Sequence, residues 1–136
     1  MHVRLLLALP FTLLLFTPAV RAHDGPHGGE LFADSKHKHH AELVVDKKTG
    51  KALVYMLDAK AKKEVPIAAS SIVMKVKGID KALTLTAANS ADGKASQFAI
   101  NHDRFKSAWK PSEVTFEIVL ERGKPAVTFT PEHDDD

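Results

Sequence analysis

The chain has 136 residues, with 19 Lys and Arg against 17 Asp and Glu, eight His and no Cys. This length suits one domain with one hydrophobic core. The absence of Cys excludes disulfide bonds, thiolate metal ligands and a cysteine-linked lipid anchor.

Residues 1–22 have the pattern of a secretory signal peptide, with a basic start, an apolar run and a small residue at the end. We expect cleavage after Ala22, with Ala19 as the rival site. The apolar run over 5–16 is shorter than the roughly 20 residues of a bilayer span. We therefore expect a periplasmic or secreted protein with no membrane span after cleavage. Removing 1–22 leaves 17 basic against 17 acidic side chains, so no excess of positive charge favours a nucleic acid.

A His- and Gly-rich segment over 23–30, predicted to be flexible, precedes a region in which apolar residues alternate with period two. The alternation predicts a strand over 39–46, a turn over 47–50 and a return strand over 51–58. Shorter strands are predicted at 65–67, 72–77, 83–88, 97–100, 113–121 and 126–130. Phe105 and Trp109, four residues apart, predict one short helix near 103–110.

About seven or eight short strands with frequent turns are typical of an all-β fold, and we expect an immunoglobulin-like antiparallel sandwich. We assign this domain to residues 31–131. Residues 132–136, which include His133 and three Asp, are assigned to a solvated acidic tail. Tyr55, Met56 and Met74 lie within apolar strands and are predicted to belong to the core.

Four short motifs occur in order along the first half of the chain. They are Pro26-His27-Gly28-Gly29, His40-Ala41-Glu42-Leu43-Val44, Val54-Tyr55-Met56-Leu57-Asp58 and Val65-Pro66-Ile67. The pattern resembles a family of small secreted bacterial β-domains with a His-Gly-Gly motif, and the N-terminal module of periplasmic adaptor proteins of heavy-metal efflux pumps. The resemblance implies a periplasmic β-domain with a connection to metals, in which His27 and His40 recur.

Five of the eight His residues fall between His23 and His40, and imidazole is the commonest metal-binding side chain. After cleavage at Ala22, the α-amine and imidazole of His23 could bind copper together. A second imidazole, from His27, His39 or His40, would complete a three-nitrogen histidine brace, which suits the tetragonal nitrogen ligation that Cu(II) prefers. The alternative is a disordered N-terminus whose His residues form no site.

His37, His39 and His40 form a second candidate set. In an extended strand, His37 and His39 share one face, whereas His40 lies on the opposite face with Glu42. A metal site there would require the N-terminal segment to fold back over the strand. The alternative is a hydrogen bond between His40 and the Gly28-Gly29 loop, with no metal.

The sequence thus predicts a periplasmic or secreted protein that captures, buffers or delivers Cu(II) or Zn(II). His23, His27 and His40 are the first choices as ligands, followed by His39 and His37. The resemblance adds a periplasmic metal-efflux protein or metallochaperone as a partner. Binding should weaken below about pH 6.5, because protons compete for imidazole.

No enzyme motif is present in the sequence, so we predict a protein that is not an enzyme. Two other interpretations stay open. One is an immunoglobulin-like interaction module with no metal role, and the other is a copper-dependent oxidase.

Overall fold

The computed structural model describes residues 24–132, and within them the chain forms ten short β-strands and two 3-10 helices. The strands are β1 (Glu30–Ala33), β2 (His40–Asp46), β3 (Lys51–Leu57), β4 (Ser71–Val76), β5 (Leu83–Ala87), β6 (Ser90–Ala91), β7 (Lys94–Ala95), β8 (Gln97–Asn101), β9 (Val114–Ile118) and β10 (Val127–Pro131). The 3-10 helices are Asp103–Lys106 and Pro111–Glu113.

Eight of these strands form a closed antiparallel barrel in the order β1-β10-β9-β4-β5-β8-β3-β2, while β6 and β7 pair as a separate hairpin. Closure depends on β1, which pairs with β2 on one side and with β10 on the other. Ala33 of β1 lies opposite both His40 of β2 and Thr130 of β10. Residues of β2 and β10 therefore face each other across β1.

The inside of the barrel is filled by apolar side chains that alternate along the strands. The rings of Phe32 and Phe116 meet edge to face with their centroids 4.9 Å apart, an arrangement that aromatic rings favour. Met56 and Met74 are fully buried, so their predicted place in the core is confirmed. Tyr55 is only half-buried, and the prediction that it belongs to the core is wrong.

The all-β prediction is confirmed, but the sheet closes into a barrel rather than forming the two packed sheets of an immunoglobulin-like sandwich. Period-two alternation reports that one face of each strand is buried. It does not report whether that face lines a barrel or faces a second sheet. The difference lies in the long-range pairing of β1 with β10.

The predicted helix near 103–110 is shorter than expected and of the 3-10 type, ending at Lys106. Its buried residue is Phe105, whose ring meets Trp109 edge to face with centroids 6.5 Å apart. His102 caps the helix, since its Nδ1 accepts a hydrogen bond from the N–H of Arg104. Pro111 begins the second 3-10 helix, a position that suits its fixed φ.

Both faces of β2 are covered near its start, although its period-two alternation indicates one buried face. Ala41 and Leu43 point into the barrel, and the outward His40 and Glu42 are also buried. Residues 25–29 form a turn against the outer face, held by hydrogen bonds between Gly25 and Gly28 and between Gly25 and Gly29. Within residues 24–132, no helix is long and apolar enough to cross a membrane.

Candidate metal centre

His40 is the central residue of the candidate site, and it lies at the first position of β2. Its Nδ1 is 3.0 Å from the backbone carbonyl oxygen of Asp58. A carbonyl oxygen only accepts, so Nδ1 carries the proton and donates this hydrogen bond. In the neutral imidazole the lone pair then belongs to Nε2, the nitrogen with which histidine binds metals when Nδ1 is held in this way.

The carboxylate of Glu132 approaches the same nitrogen. Its Oε2 is 3.7 Å from His40 Nε2, too far for a direct hydrogen bond. Glu132 follows β10 directly, and its backbone N–H donates to the carbonyl of Leu31 at 2.9 Å. The two side chains meet across β1, where the outward residue opposite His40 is Ala33. A single methyl group at Ala33 leaves room for this approach.

His37 completes the group from the turn between β1 and β2. Its ring centroid is 6.2 Å from that of His40. Ligand atoms of His37, His40 and Glu132 all lie within 4.8 Å of one another. Among the residues that the structure describes, no other set of three His, Asp or Glu side chains meets this criterion. Because His37 is exposed and His40 is buried, the group opens to solvent on one side.

The position of His37 depends on a tight turn with a buried Asp at its start. The carbonyl of Asp34 accepts from the N–H of His37 at 3.1 Å, and its carboxylate accepts from the N–H of Lys38 at 2.9 Å. His37 adopts a φ of 51°, a left-handed conformation that is uncommon outside Gly. Residues 37–39 therefore precede the strand, and the prediction that His37 and His39 share a strand face, away from His40, is wrong.

A second turn fixes the Asp58 carbonyl that holds His40. This carbonyl also accepts from the N–H of Ala61 at 3.0 Å, and the Asp58 carboxylate accepts from the N–H of Lys62 at 2.9 Å. The hydrogen bond from Lys62 lowers the pKa of Asp58 below its ordinary value, and the neighbouring positive charge of Lys63 acts in the same direction. The ionised side chain thus stabilises the turn that orients His40.

His27 lies in a separate cluster on the outer face of β2. The buried carboxyl group of Glu42 accepts from His27 Nδ1 at 2.7 Å and from the backbone N–H groups of His27 and Gly29, each at 2.8 Å. The imidazole stacks on Tyr55 with ring centroids 3.7 Å apart. Burial raises the pKa of Tyr55, and the charges of Glu64 and Glu42 raise it further. The loop of Gly28 and Gly29 thus hydrogen-bonds to Glu42, whereas the partner of His40 is Asp58.

His39 lies apart from both groups. It lines a cleft together with Ile67 and Leu120. Its Nδ1 is buried without a hydrogen-bond partner within residues 24–132. His23, on which the histidine brace depends, lies outside the described residues. His133 and the rest of the acidic tail also lie outside them. Of the five predicted ligands, the structure thus brings together His37 and His40.

Sequence patterns missed two members of this arrangement. Glu132 was assigned to the solvated tail, although its backbone N–H continues the pairing of β10 with β1. Asp58 is predicted to end a strand, and the group that contacts His40 is its backbone carbonyl, which every residue type carries. The sequence held one signal for Asp58, since an Asp side chain favours a turn by accepting hydrogen bonds from nearby backbone N–H groups.

Comparisons with known proteins do not assign this chain to a family. No protein-family model, curated protein or solved structure matches it.

Proposed function

We propose that this protein binds a divalent transition metal ion, Zn(II) or Cu(II), through His37, His40 and Glu132. We place this function in the periplasm or outside the cell, where the protein would capture, buffer or deliver the ion. A metal-efflux protein or metallochaperone would be the corresponding partner. Two imidazoles and one carboxylate are a donor set that zinc uses in proteins, and they leave a coordination position open.

The observation that carries the proposal is the orientation of His40. Its Nδ1 is committed to the Asp58 carbonyl, so the neutral ring directs a lone pair from Nε2 toward the carboxylate of Glu132. Two acceptors that face each other repel, and a cation between them removes the repulsion. A backbone carbonyl behind a metal-binding imidazole is also one of the common ways in which proteins orient such a ligand.

The distances agree with a shared ion. Two ligand atoms bound to one tetrahedral zinc ion lie about 3.4 Å apart, given bond lengths of about 2.1 Å. Nε2 of His40 and Oε2 of Glu132 are 3.7 Å apart, so a small rotation of the half-exposed glutamate suffices. The exposed His37 can approach in the same way.

The exposure of the group favours an exchangeable ion over a permanent structural one. His40 is fixed by the barrel, whereas His37 and Glu132 are reachable from solvent. A partner could supply the ligand for the open position and remove the ion. His27 and His39 are not members of the proposed set, because Glu42 holds the first and the second lines a different surface.

Calorimetric titration with Zn(II) and Cu(II) tests the proposal, with the chain that begins at His23 as the reference protein. We expect one ion per chain. His40→Ala and Glu132→Gln should weaken binding by about tenfold or more, which corresponds to about 1.4 kcal/mol. His27→Ala is the matched control and should leave the affinity unchanged.

A chain with one extra Ala before His23 separates this site from a histidine brace, because the added residue removes the α-amine from the first imidazole. Equal affinity of the two chains supports the site at His40. Affinity that is lost with the extra Ala, or that survives in both His40→Ala and Glu132→Gln, would contradict the proposal.

A further inference from the structure

A cleft of about 590 Å³ lies at the end of the barrel that carries the β1–β2, β3–β4 and β9–β10 connections. Apolar side chains of Val65, Ile67, Leu120 and Val127 line part of it. This volume is in the range of clefts that hold small organic ligands. The cleft is therefore large enough for a molecule with a hydrocarbon body.

The rim of this cleft is strongly basic for a protein with nearly balanced charge. Five cationic side chains, from the β1–β2 connection, from β7 and from the β9–β10 connection, line it, against the two acids Asp34 and Glu121. The cations are Lys36, Lys38, Lys94, Arg122 and Lys124. Within residues 24–132, none of the five forms an ion pair. Unpaired cations around an apolar concavity raise the local concentration of anions.

His39 also contributes its side chain to the wall of this cleft. It is one of the lining residues, and its Nδ1 has no hydrogen-bond partner in the described part of the chain. The imidazole can present a ring N–H donor to a carboxylate that enters the cleft.

We propose that this cleft binds a small carboxylate with an apolar body, such as a medium-chain alkyl carboxylate. The hydrocarbon lies against Val65, Ile67 and Leu120, and the carboxylate lies at the rim, near His39 and the basic side chains. This inference is independent of the metal site, because the cleft shares no residue with the group of His37, His40 and Glu132.

Titration with decanoate, below the concentration at which it forms micelles and in the presence of a chelator, tests the inference. Amide chemical shifts of the labelled protein report both affinity and location. We expect saturable one-to-one binding, with the largest shifts at His39, Ile67 and Val127. Acetate and a cationic decyl amphiphile should bind about tenfold more weakly or not at all, because each lacks one of the two recognised features.

Charge reversal at the rim provides the matched pair of variants. Arg122→Glu with Lys124→Glu should weaken decanoate binding by about tenfold or more. Lys77→Glu with Lys81→Glu makes the same change in net charge in the β4–β5 connection, at the other end of the barrel, and should have no effect. Equal binding by both double variants, equal binding of the cationic amphiphile, or no saturable binding of decanoate would overturn the inference.

Discussion

Glu42 shows how a single buried carboxyl group fixes the N-terminal segment to the barrel. Its side chain is fully buried, and its two oxygens accept three N–H hydrogen bonds from His27 and Gly29. The close approach of this segment to β2 also explains why Gly occupies two of its positions. A Cβ at Gly25 would overlap the side chain of Glu42, and one at Gly29 would meet the carbonyl oxygen of Leu43 at 2.5 Å.

Glu42→Gln should therefore destabilise the protein strongly. Glutamine keeps one acceptor oxygen but directs an NH₂ group toward N–H donors, which leaves buried groups unsatisfied. We expect the free energy of unfolding to fall by about 2–3 kcal/mol in chemical denaturation. Glu117→Gln, at the exposed ion pair with Lys75, is the control and should cost less than about 1 kcal/mol. Equal losses in the two variants would contradict this account of Glu42.

Tyr55 provides a direct probe of the same cluster, because it is the only Tyr in the chain. Burial and then the charges of Glu64 and Glu42 raise its pKa. The folded state therefore favours the neutral phenol. The contribution of this preference to stability is present below the ordinary phenol pKa of about 10, and it is lost as the pH rises through the higher pKa of the folded protein. Absorbance titration should show a higher pKa in the native than in the unfolded protein, and Glu64→Gln should lower the native value. Coinciding native and unfolded curves would contradict the placement of Tyr55.

At the scale of elements, two turns fix the positions of His37 and His40 in the candidate metal centre before any ion binds. The turn that begins at Asp34 holds His37 in a left-handed conformation. The turn that begins at Asp58 holds the carbonyl that orients His40. Each turn depends on an Asp side chain that accepts a backbone N–H four residues ahead, a role for which Asp is well suited.

Asp58→Ala should weaken metal binding although no ligand is removed. The loosened turn no longer fixes the carbonyl behind His40, and loss of such an orienting group costs about 10–100-fold in affinity. Asp46→Ala removes a similar hydrogen bond, to the N–H of Lys48, in the turn after β2 and should leave zinc affinity unchanged. Equal affinities of wild type and Asp58→Ala would contradict the orienting role.

The same variant has a defined dependence on pH. The pKa of Asp58 is lowered in the folded protein, because the folded state favours the ionised carboxylate. The contribution of this carboxylate to stability is present above the ordinary Asp pKa of about 3.9. It is lost as the pH falls through the lower folded pKa. Thermal unfolding should therefore separate Asp58→Ala from wild type at pH 7, and the difference should diminish only in strong acid. A difference that disappears already near neutral pH would contradict this cause.

The sequence predicted the β2–β3 hairpin but neither the conformation of His37 nor the position of Glu132, and the reasons are physical. The hairpin of β2 and β3 follows from local alternation and a short turn, and it lies where expected. The φ of His37 depends on hydrogen bonds to Asp34, which alternation does not encode. Glu132 reaches His40 only because β1 and β10 pair, and such long-range pairing leaves no periodic signal in one sequence.

At the scale of the whole molecule, the candidate site bridges the point where the barrel closes. His40 belongs to β2 and Glu132 follows β10, while β1 lies between them. An ion shared by these two side chains would link the two neighbours of the closing strand. Binding to the folded state alone also stabilises the whole fold by mass action.

Zinc should accordingly raise the stability of the entire barrel. At a free concentration of about 100 times the dissociation constant, we expect a gain of about 2.7 kcal/mol in the free energy of unfolding. Trp109, the only Trp in the chain, packs against the core and reports unfolding by fluorescence. His40→Ala should show no such gain, and a gain that persists in this variant would place the ion elsewhere.

The most direct measurement is long-range proton–nitrogen NMR of the histidine ring nitrogens, before and after one equivalent of Zn(II). We expect His40 to be protonated at Nδ1 in the metal-free protein, and we expect zinc to shift Nε2 of His40 together with a ring nitrogen of His37. The signals of His27 and His102 should not change. A metal-free His40 protonated at Nε2, or zinc-induced shifts that spare His40, would contradict the proposed centre.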